Sequence, residues 1–176
     1  LIYGGNYMLN VRNADITDFE QIMGIYKYAQ DYMIRSGNPK QWGHSYPDTD
    51  LIKADITQNT CRVIYDKNGI HGVFALFEGK EPTYEHIENG HWLNDKPYIT
   101  IHRLAGDGQV HGLFQCVVNY CKNISKNLRV DTHADNLTMQ KLIEKNGFTK
   151  CGIIYVRDGS PRIAYHWTAD NLSLVD

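Results

Sequence analysis

The sequence predicts a single α/β domain in which a mixed, mostly antiparallel sheet is flanked by helices. Its 176 residues suffice for one domain with a sizeable core, and no linker, repeat or low-complexity segment divides them. The first half carries a strong hairpin signal, Asn68-Gly69, between two strand-like segments. The second half alternates strand and helix patterns and closes with another hairpin pattern. Met8 is a candidate for the natural first residue. Residues 1–7 are then expected to be a leader, and residues 168–176 are expected to be a tail.

The first half is predicted to form three strands and two helices. A capping box, Thr17-x-x-Glu20, precedes apolar residues at helical spacing. A turn-rich segment with two aromatic residues separates this helix from the second, which Asp48 or Thr49 caps. The predicted strands are residues 9–12, 61–65 and 70–79, and the predicted helices are residues 17–36 and 48–56.

The second half starts with a polar, acidic and aromatic segment, residues 80–98, which is predicted to be a long loop. Helical spacing of apolar residues predicts a third helix directly after a glycine-rich turn, and Gly147 is placed to close a fourth. The predicted strands are residues 98–105, 128–133, 151–156 and 162–167, and the predicted helices are residues 113–121 and residues 135 or 136 to 147.

Composition excludes several functional classes. The formal net charge is −2 without a basic stripe, which argues against nucleic-acid binding. No apolar stretch approaches the roughly 18 residues that span a bilayer, so no membrane partner is expected. The four cysteines, Cys61, Cys116, Cys121 and Cys151, have apolar neighbours and are expected to be reduced and buried, which indicates a cytoplasmic protein.

The glycine-rich turn is the clearest functional signal. Gly106, Gly108 and Gly112 lie between a predicted strand and a predicted helix, where backbone N–H groups and the helix dipole favour an anion such as phosphate. No Lys-Ser or Lys-Thr pair follows Gly112, so the turn is not a P-loop. It also departs from the dinucleotide-binding fingerprint, because three residues instead of two separate Gly108 from Gly112. Asp131 stands where a ribose-binding acid would lie, which keeps a nicotinamide-dependent oxidoreductase open as a minor alternative, although the βαβ repeats of that fold are missing. A plain tight turn is the other alternative.

Two motifs resemble the GNAT superfamily of acetyl-CoA-dependent N-acetyltransferases. Gln109-Val110-His111-Gly112 is similar to the start of that family's pyrophosphate loop, which follows its fourth strand. The segment from Asn136 to Phe148 resembles its second element, a helix opened by Asn and ended by Lys-x-Gly-Phe. In element order the resemblance covers residues 9–167. It implies acetyl-CoA as cofactor, bound where the fourth and fifth strands splay apart.

The resemblance also implies the cofactor contacts. Backbone N–H groups of the loop would wrap the pyrophosphate, the end of the fourth strand would pair with the pantetheine arm, and an asparagine would bind the arm from the other side. The residues are Leu104, Ala105, Gln109, Val110, His111, Gly112, Leu113, Phe114 and Asn136.

Two positions depart from the family pattern. Phe114 stands where the family often has Gly or Ala, so its bulk either alters the loop or packs beneath it. Ile143 stands where a tyrosine often protonates the departing thiolate. A thiol with a pKa near 8.5 can leave without a dedicated acid, so activity is compatible with this change. A non-catalytic acyl-CoA-binding protein is the alternative that these two positions support.

The sequence leaves the catalytic base open. Tyr98 occupies the position where some family members carry a glutamate. His102 and His133 are predicted to lie on the two strands that line the cleft, and either could accept a proton, or each could be structural. A backbone N–H between His102 and Leu104 is expected to stabilise the oxyanion.

The acceptor is expected to be a primary amine on a small molecule or a peptide. Trp42, Tyr46 and Trp92, together with Tyr98, are candidates for its pocket, because aromatic faces bind cations. Ammonium-attracting candidates are Glu81, Glu85 and Glu88; a solvated acidic loop with core aromatics is equally compatible. No metal site is expected, because the spacing of His86, Glu88 and His91 matches no standard arrangement. Either a monomer or a homodimer is compatible with the sequence.

Overall fold

The computed structural model describes residues 8–170, so the predicted leader and residues 171–176 of the predicted tail lie outside the described residues. One sheet contains strands β1 (Asn10–Asn13), β2 (Cys61–Asp66), β3 (Gly69–Glu78), β4 (Ile99–Gly106), β5 (Asn127–Thr132), β6 (Thr149–Tyr155) and β7 (Pro161–Thr168). The helices are α1 (Phe19–Arg35), α2 (Thr49–Thr57), α3 (Leu113–Lys122) and α4 (Leu137–Lys145). The tail was predicted to begin at Thr168, but this residue is buried as the last residue of β7.

The sheet is mixed and mostly antiparallel, as predicted. Its strand order is β1-β2-β3-β4-β5-β7-β6, and β4 and β5 form a parallel pair. Only Ile99 with Leu128 and Thr100 with Arg129 are paired between these two strands. Beyond these residues β4 and β5 diverge, which agrees with the predicted splay.

Separate apolar clusters cover the sheet. Helices α1 and α2 pack on one cluster, which includes Ile22, Tyr26 and Ile52, whereas α3 and α4 contribute Val117 and Ile143 to another. A third, smaller cluster lies between the segment of residues 79–98 and the strands β6 and β7. This segment, which we call the connecting segment, is thereby held beside the point where β4 and β5 separate.

The start of α1 differs from the prediction. The capping box is formed by Asp15 and Asp18, not by Thr17 and Glu20: Asp15 accepts a hydrogen bond from the Thr17 N–H at 2.8 Å, and Asp18 accepts one from the Asp15 N–H at 2.8 Å. These bonds open a 3-10 turn ahead of α1. Arg12 also binds the Asp18 carboxylate, at 2.7 Å, which fixes the turn to β1.

The cysteines follow the prediction with one exception. Cys61, Cys121 and Cys151 are buried, whereas Cys116 is only partly buried, and all four are unbridged. Burial raises the pKa of the Cys61 and Cys121 thiols to about 12. Among the residues of the described chain, no helix combines the length and hydropathy needed to cross a membrane.

Candidate functional site

A bulge in β4 marks the start of the split between β4 and β5. Arg103 and Leu104 stand opposite a single residue of β3, Phe74, and Arg103 has a φ of +53°. Two side chains hold this unusual backbone: Tyr26 donates a hydrogen bond to the Arg103 carbonyl oxygen at 3.0 Å, and Asp55 binds the Arg103 guanidinium at 2.6 Å. Helices α1 and α2 therefore fix the shape of β4 at this point.

The split exposes two facing strand edges. Leu104 and Ala105, the predicted pantetheine contacts, lie on the part of β4 that has left β5, and Ala105 pairs with β3 on its other side. The opposite edge belongs to Val130–Thr132 of β5, which pairs with β7. Within residues 8–170, the buried Thr132 hydroxyl has no hydrogen-bond partner. An extended polar ligand could form hydrogen bonds with the backbone N–H and C=O groups that β4 and β5 leave unpaired where they diverge.

The glycine-rich turn lies between β4 and α3. Gly108 and Gly112 have φ values of +75° and +84°, a region that favours glycine. Gly112 directly precedes α3, whose first N–H groups have no partner within the helix. The Gln109 N–H donates to the Asp107 carboxylate at 2.9 Å, so it is engaged within the loop. The family resemblance implied that this N–H would bind the pyrophosphate.

Phe114 packs beneath the loop. Its side chain is buried and contacts Phe148 with a ring-centroid distance of 6.2 Å. The bulk at this position is therefore absorbed by the core and does not fill the loop. Leu113 packs closely on Gly72 and Gly106, a contact that a side chain at either glycine would obstruct. Ile143 is fully buried in the same core. Its aliphatic side chain cannot donate a proton to a departing thiolate.

Asn136 is already engaged at the mouth of the split. Its Oδ1 accepts the Met139 N–H at 3.0 Å, which caps α4, and its Nδ2 donates to the Gln41 Oε1 at 2.9 Å. Gln41 belongs to the segment between α1 and α2, and sequence reasoning did not single it out. The two side chains thus connect the elements on either side of the split.

Four side chains meet just beyond the last β4–β5 pair, and we call them the His102 cluster: Glu81, Tyr84, His102 and Asp131. The His102 Nε2 lies 3.3 Å from Glu81 Oε2, and its Nδ1 lies 3.8 Å from Asp131 Oδ2. Tyr84 donates to the same Asp131 oxygen at 2.7 Å. The hydrogen bond with His102 is the largest cause that lowers the pKa of Glu81, to about 2. Glu81 is therefore a carboxylate at neutral pH.

The connecting segment places Glu81. Its Oε1 accepts hydrogen bonds from the backbone and hydroxyl of Thr83, at 3.2 and 3.0 Å. The Glu81 N–H donates to Tyr98 Oη at 3.0 Å, and Tyr98 in turn stacks on the Arg129 guanidinium at 3.9 Å. Trp92 covers the same guanidinium at 4.1 Å. In this structure Tyr98 and Trp92 support Glu81 and β5.

His133 lies apart from the His102 cluster. Its Nδ1 accepts the Asp135 N–H at 3.1 Å and stands 3.5 Å from the Asp135 carboxylate. Burial, followed by the charge of Arg162, lowers the pKa of His133. Within residues 8–170, no hydrogen bond or ion pair connects His133 to His102. The two candidate bases therefore do not contact each other in the described part of the chain.

The predicted acceptor aromatics also divide into two groups. Trp42 is 9% exposed and packs between Tyr26 and Tyr46, so it is mainly a core residue. Tyr46 is 40% exposed, and its Oη lies 3.5 Å from the Arg103 guanidinium. Trp92 instead stacks on Tyr84 in the connecting segment.

Of the three predicted glutamates, Glu81 alone contacts His102. Glu88 pairs with the backbone of β6 and accepts a hydrogen bond from Tyr155 at 2.9 Å, and Glu85 is exposed. In the described part of the chain, no group of three or more potential ligands is arranged to hold a metal ion.

Asp131 and Tyr84 are the members of the His102 cluster that sequence reasoning missed. Asp131 was weighed only as a ribose-binding acid. Once the register of β4 against β5 is known, alternation places His102 and Asp131 on the same face, because each lies two residues beyond the paired residues Thr100 and Arg129; the sequence alone does not give that register. Tyr84 belongs to an irregular segment, where no periodicity predicts direction.

Comparison with known proteins identifies the fold. No protein-family model and no curated protein matches the sequence. A GNAT-family acetyltransferase from Streptococcus agalactiae is 29% identical, with a TM-score of 0.83 over 92% of this chain and 96% of that chain. yncA of Salmonella typhimurium, solved with its cofactor acetyl-CoA, is 15% identical, with a TM-score of 0.58 over 96% and 98% of the chains. The ribosomal-protein-S18-alanine N-acetyltransferase of Escherichia coli is 14% identical, with a TM-score of 0.58 over 92% and 94%.

The protein has the fold of the GNAT superfamily of acetyltransferases, as its two motifs predicted. The similarity to the Streptococcus agalactiae acetyltransferase extends over nearly the whole length of both chains and supports acetyl transfer as the general activity.

Proposed function

We propose that the protein transfers an acetyl group from acetyl-CoA to a primary amine, by direct attack within a ternary complex. The observation that carries this proposal is the position of the His102 cluster, just beyond the last paired residues of β4 and β5. A coenzyme whose pyrophosphate occupied the loop before α3 would extend its pantetheine arm along Leu104 and Ala105. Its thioester would then reach the cluster.

His102 is the candidate base. Glu81 is ionised and lies beside Nε2, so it favours the tautomer that carries the proton on Nε2. Nδ1 is then the nitrogen that can accept a proton, and it faces Asp131 on β5. Glu81 and Asp131 would both stabilise the imidazolium that forms. Since Nδ1 of His133 already accepts the Asp135 N–H, His102 is the better placed of the two histidines.

In the reaction, the amine nitrogen forms a bond to the thioester carbonyl carbon, and the carbon–sulfur bond then breaks. The nitrogen would attack as a neutral amine, after its ammonium form has released one proton to solvent. The second proton, lost as the amide forms, would go to His102 Nδ1, and the coenzyme would leave as a thiolate. An N–H of the β4 bulge would donate to the oxyanion, a contribution of about 3 kcal/mol to transition-state stabilisation. A thiolate with an ordinary pKa needs no dedicated acid, which is consistent with a buried Ile143.

The acceptor is a positively charged amine before it reacts. Two carboxylates, Glu81 and Asp131, flank His102 with side-chain exposures of 18% and 10%. Such partly buried negative charge attracts an ammonium group and disfavours an anionic acceptor nucleophile. Both a small-molecule amine and a peptide amine fit this chemistry.

Two measurements test the proposal. Calorimetric titration with acetyl-CoA is expected to show binding, whereas NAD is expected not to bind. A screen of primary amines should then release free coenzyme thiol in proportion to acetylated product. Binding of acetyl-CoA without thiol release for any amine would favour the non-catalytic acyl-CoA-binding alternative, and binding of NAD alone would favour the oxidoreductase.

A further inference from the structure

A second histidine, His71 on β3, lies between two carboxylates next to the glycine-rich turn. Its Nδ1 is 2.8 Å from Asp107 Oδ2, and its Nε2 is 3.0 Å from Asp66 Oδ1. The His71 carbonyl oxygen also accepts the Asp107 N–H at 2.9 Å. We call these three residues the His71 bridge. It connects the end of β2, through β3, to the loop that follows β4.

The bridge ends on the backbone of the loop. Asp107 uses one oxygen for His71 and the other for the Gln109 N–H, at 2.9 Å. At the other end, Asp66 accepts the Asn68 N–H at 2.6 Å within the β2–β3 turn. Protonation of His71 therefore affects the orientation of Asp107. Through Asp107 it affects the position of the Gln109 backbone, at the start of the Gln109–Gly112 motif.

Both ring nitrogens of His71 face carboxylate oxygens. An imidazolium can donate a hydrogen bond to each of them, whereas a neutral ring can donate only one. Burial alone would lower the pKa of His71, but the hydrogen bonds to Asp107 and Asp66 outweigh it and raise that pKa. The side chain also lines a groove of about 420 Å³ open to solvent, so protons can reach it. The groove lining includes Gln21, Tyr28, Asn68, His71, Asp107 and Gln109.

Among the described residues, the charged groups that act on His71 are Asp66 and Asp107. Asp66 approaches from β2 and Asp107 from the loop, while α1 contributes the amide of Gln21, which donates to the Ile70 carbonyl, and the phenol of Tyr28, which lies against Gly108. In the described part of the chain, no second cation is paired with either carboxylate of the bridge.

We propose that His71 is a positioning residue for the coenzyme loop, and that loss of its proton weakens coenzyme A binding. This inference rests on the proposed function. Deprotonation changes the charge of the bridge from −1 to −2 beside the predicted pyrophosphate site, and it removes one of the two hydrogen bonds to the carboxylates. Repulsion of the anionic coenzyme and a reoriented Asp107 then act in the same direction. Because its two carboxylate partners raise the pKa of His71 above 6.5, we expect coenzyme A affinity to be lost at pH values above 6.5.

The test is calorimetric titration with coenzyme A between pH 5.5 and 8, on the wild-type protein, His71→Gln and the matched control His91→Gln. His91 is exposed on the connecting segment, away from the loop. We expect affinity of the wild type and the control to fall about fivefold more over this range than that of His71→Gln, as one added charge near the ligand implies. Ionisation of the coenzyme is common to all three proteins and cancels in the comparison.

A second variant covers the case in which His71→Gln does not fold. Asp107→Asn keeps the shape of the bridge and removes one carboxylate, so the loss of affinity should move to lower pH. Equal pH dependence in the wild type and the folded variants would overturn the inference and leave the proposed function intact. Absence of coenzyme binding at every pH would overturn both.

Discussion

At the scale of single residues, the candidate site depends on side chains that two strands and one irregular segment bring together. His102 is held from β4, Asp131 from β5, and Glu81 from the connecting segment. Each alone is an ordinary polar residue. Their contacts place one ring nitrogen of His102 3.3 Å from Glu81 and the other 3.8 Å from Asp131, which is compatible with the proposed role of His102 as the base.

Substitution of His102 should affect chemistry more than coenzyme binding. We expect His102→Gln to lower kcat about a hundredfold to ten-thousandfold, the usual contribution of a positioned base, while the Kd for acetyl-CoA changes little. Steady-state kinetics with an amine from the screen, together with calorimetry, measure the two effects. His133→Gln is the comparison variant: a larger loss of kcat there would assign the base to His133.

Glu81 should stabilise the folded state in a pH-dependent way. Its pKa falls from 4.5 to about 2 on folding, so its contribution is complete above pH 4.5 and is lost as the pH falls towards 2. At pH 7 we expect Glu81→Gln to lower the free energy of unfolding by about 1 to 2 kcal/mol after allowance for solvent screening. Urea unfolding at pH 7, 4 and 3 should show this difference shrinking.

Glu85→Gln is the matched control for that series, because Glu85 is exposed on the same segment. A constant difference between Glu81→Gln and the wild type at all three pH values would show that the Glu81–His102 contact does not stabilise the fold.

At the scale of elements, the connecting segment is as important as the strands. An isolated bridge between Glu88 and Ile153 joins it to β6. Gly90 and Gly152 allow this contact, because a side chain on either would overlap the backbone of the other element. The glycines thus keep the segment that carries Glu81 and Tyr84 on the sheet.

A methyl group at Gly90 should detach this segment. Because the obstructing atoms are the Cys151 backbone, the overlap cannot be relieved by a rotamer change, and we expect Gly90→Ala to cost about 2 kcal/mol of stability. Activity should fall as well, since Glu81 loses its place. Urea unfolding and hydrogen exchange of residues 79–98 measure both consequences.

Gly24→Ala provides the opposite case. Gly24 lies on the exposed face of α1 with open space around it, so alanine should raise stability by about 0.5 to 1 kcal/mol. If Gly90→Ala were as stable as the wild type, the segment would not depend on the Gly90 contact.

At the scale of the whole molecule, the split leaves the two halves of the sheet joined by few backbone pairs. The β1-β2-β3-β4 half and the β5-β7-β6 half are joined by two residue pairs of β4 and β5 and by the core beneath them. The Gln41–Asn136 hydrogen bond adds a contact near the mouth. A coenzyme in the split would connect the halves along its length.

Coenzyme binding should therefore stabilise the protein and protect the split strands. At 100 times the Kd, we expect about 2.7 kcal/mol of stabilisation and a rise in Tm of about 5 to 10 °C. Thermal unfolding with and without acetyl-CoA measures the rise, and NAD is the control. Hydrogen exchange should slow in residues 103–106 and 130–132. Protection confined to other strands would contradict binding in the split.

The sequence by itself determined the element order and the fold family. Periodicity placed the strands and helices within a few residues, because each buries one face and so repeats its apolar residues. Two local motifs, Gln109–Gly112 and Asn136–Phe148, predicted the GNAT fold, since loop geometry and helix capping are encoded by neighbouring residues.

Only the tertiary structure decided which side chains meet. It brought Glu81 and Asp131 to His102 across 21 and 29 residues of chain, paired His133 with Asp135 instead, and buried Phe114 beneath the loop. Such contacts depend on how strands diverge and how an irregular segment lies on a sheet. Neither leaves a period in the sequence, which is why local patterns predicted the framework and not the chemistry of the site.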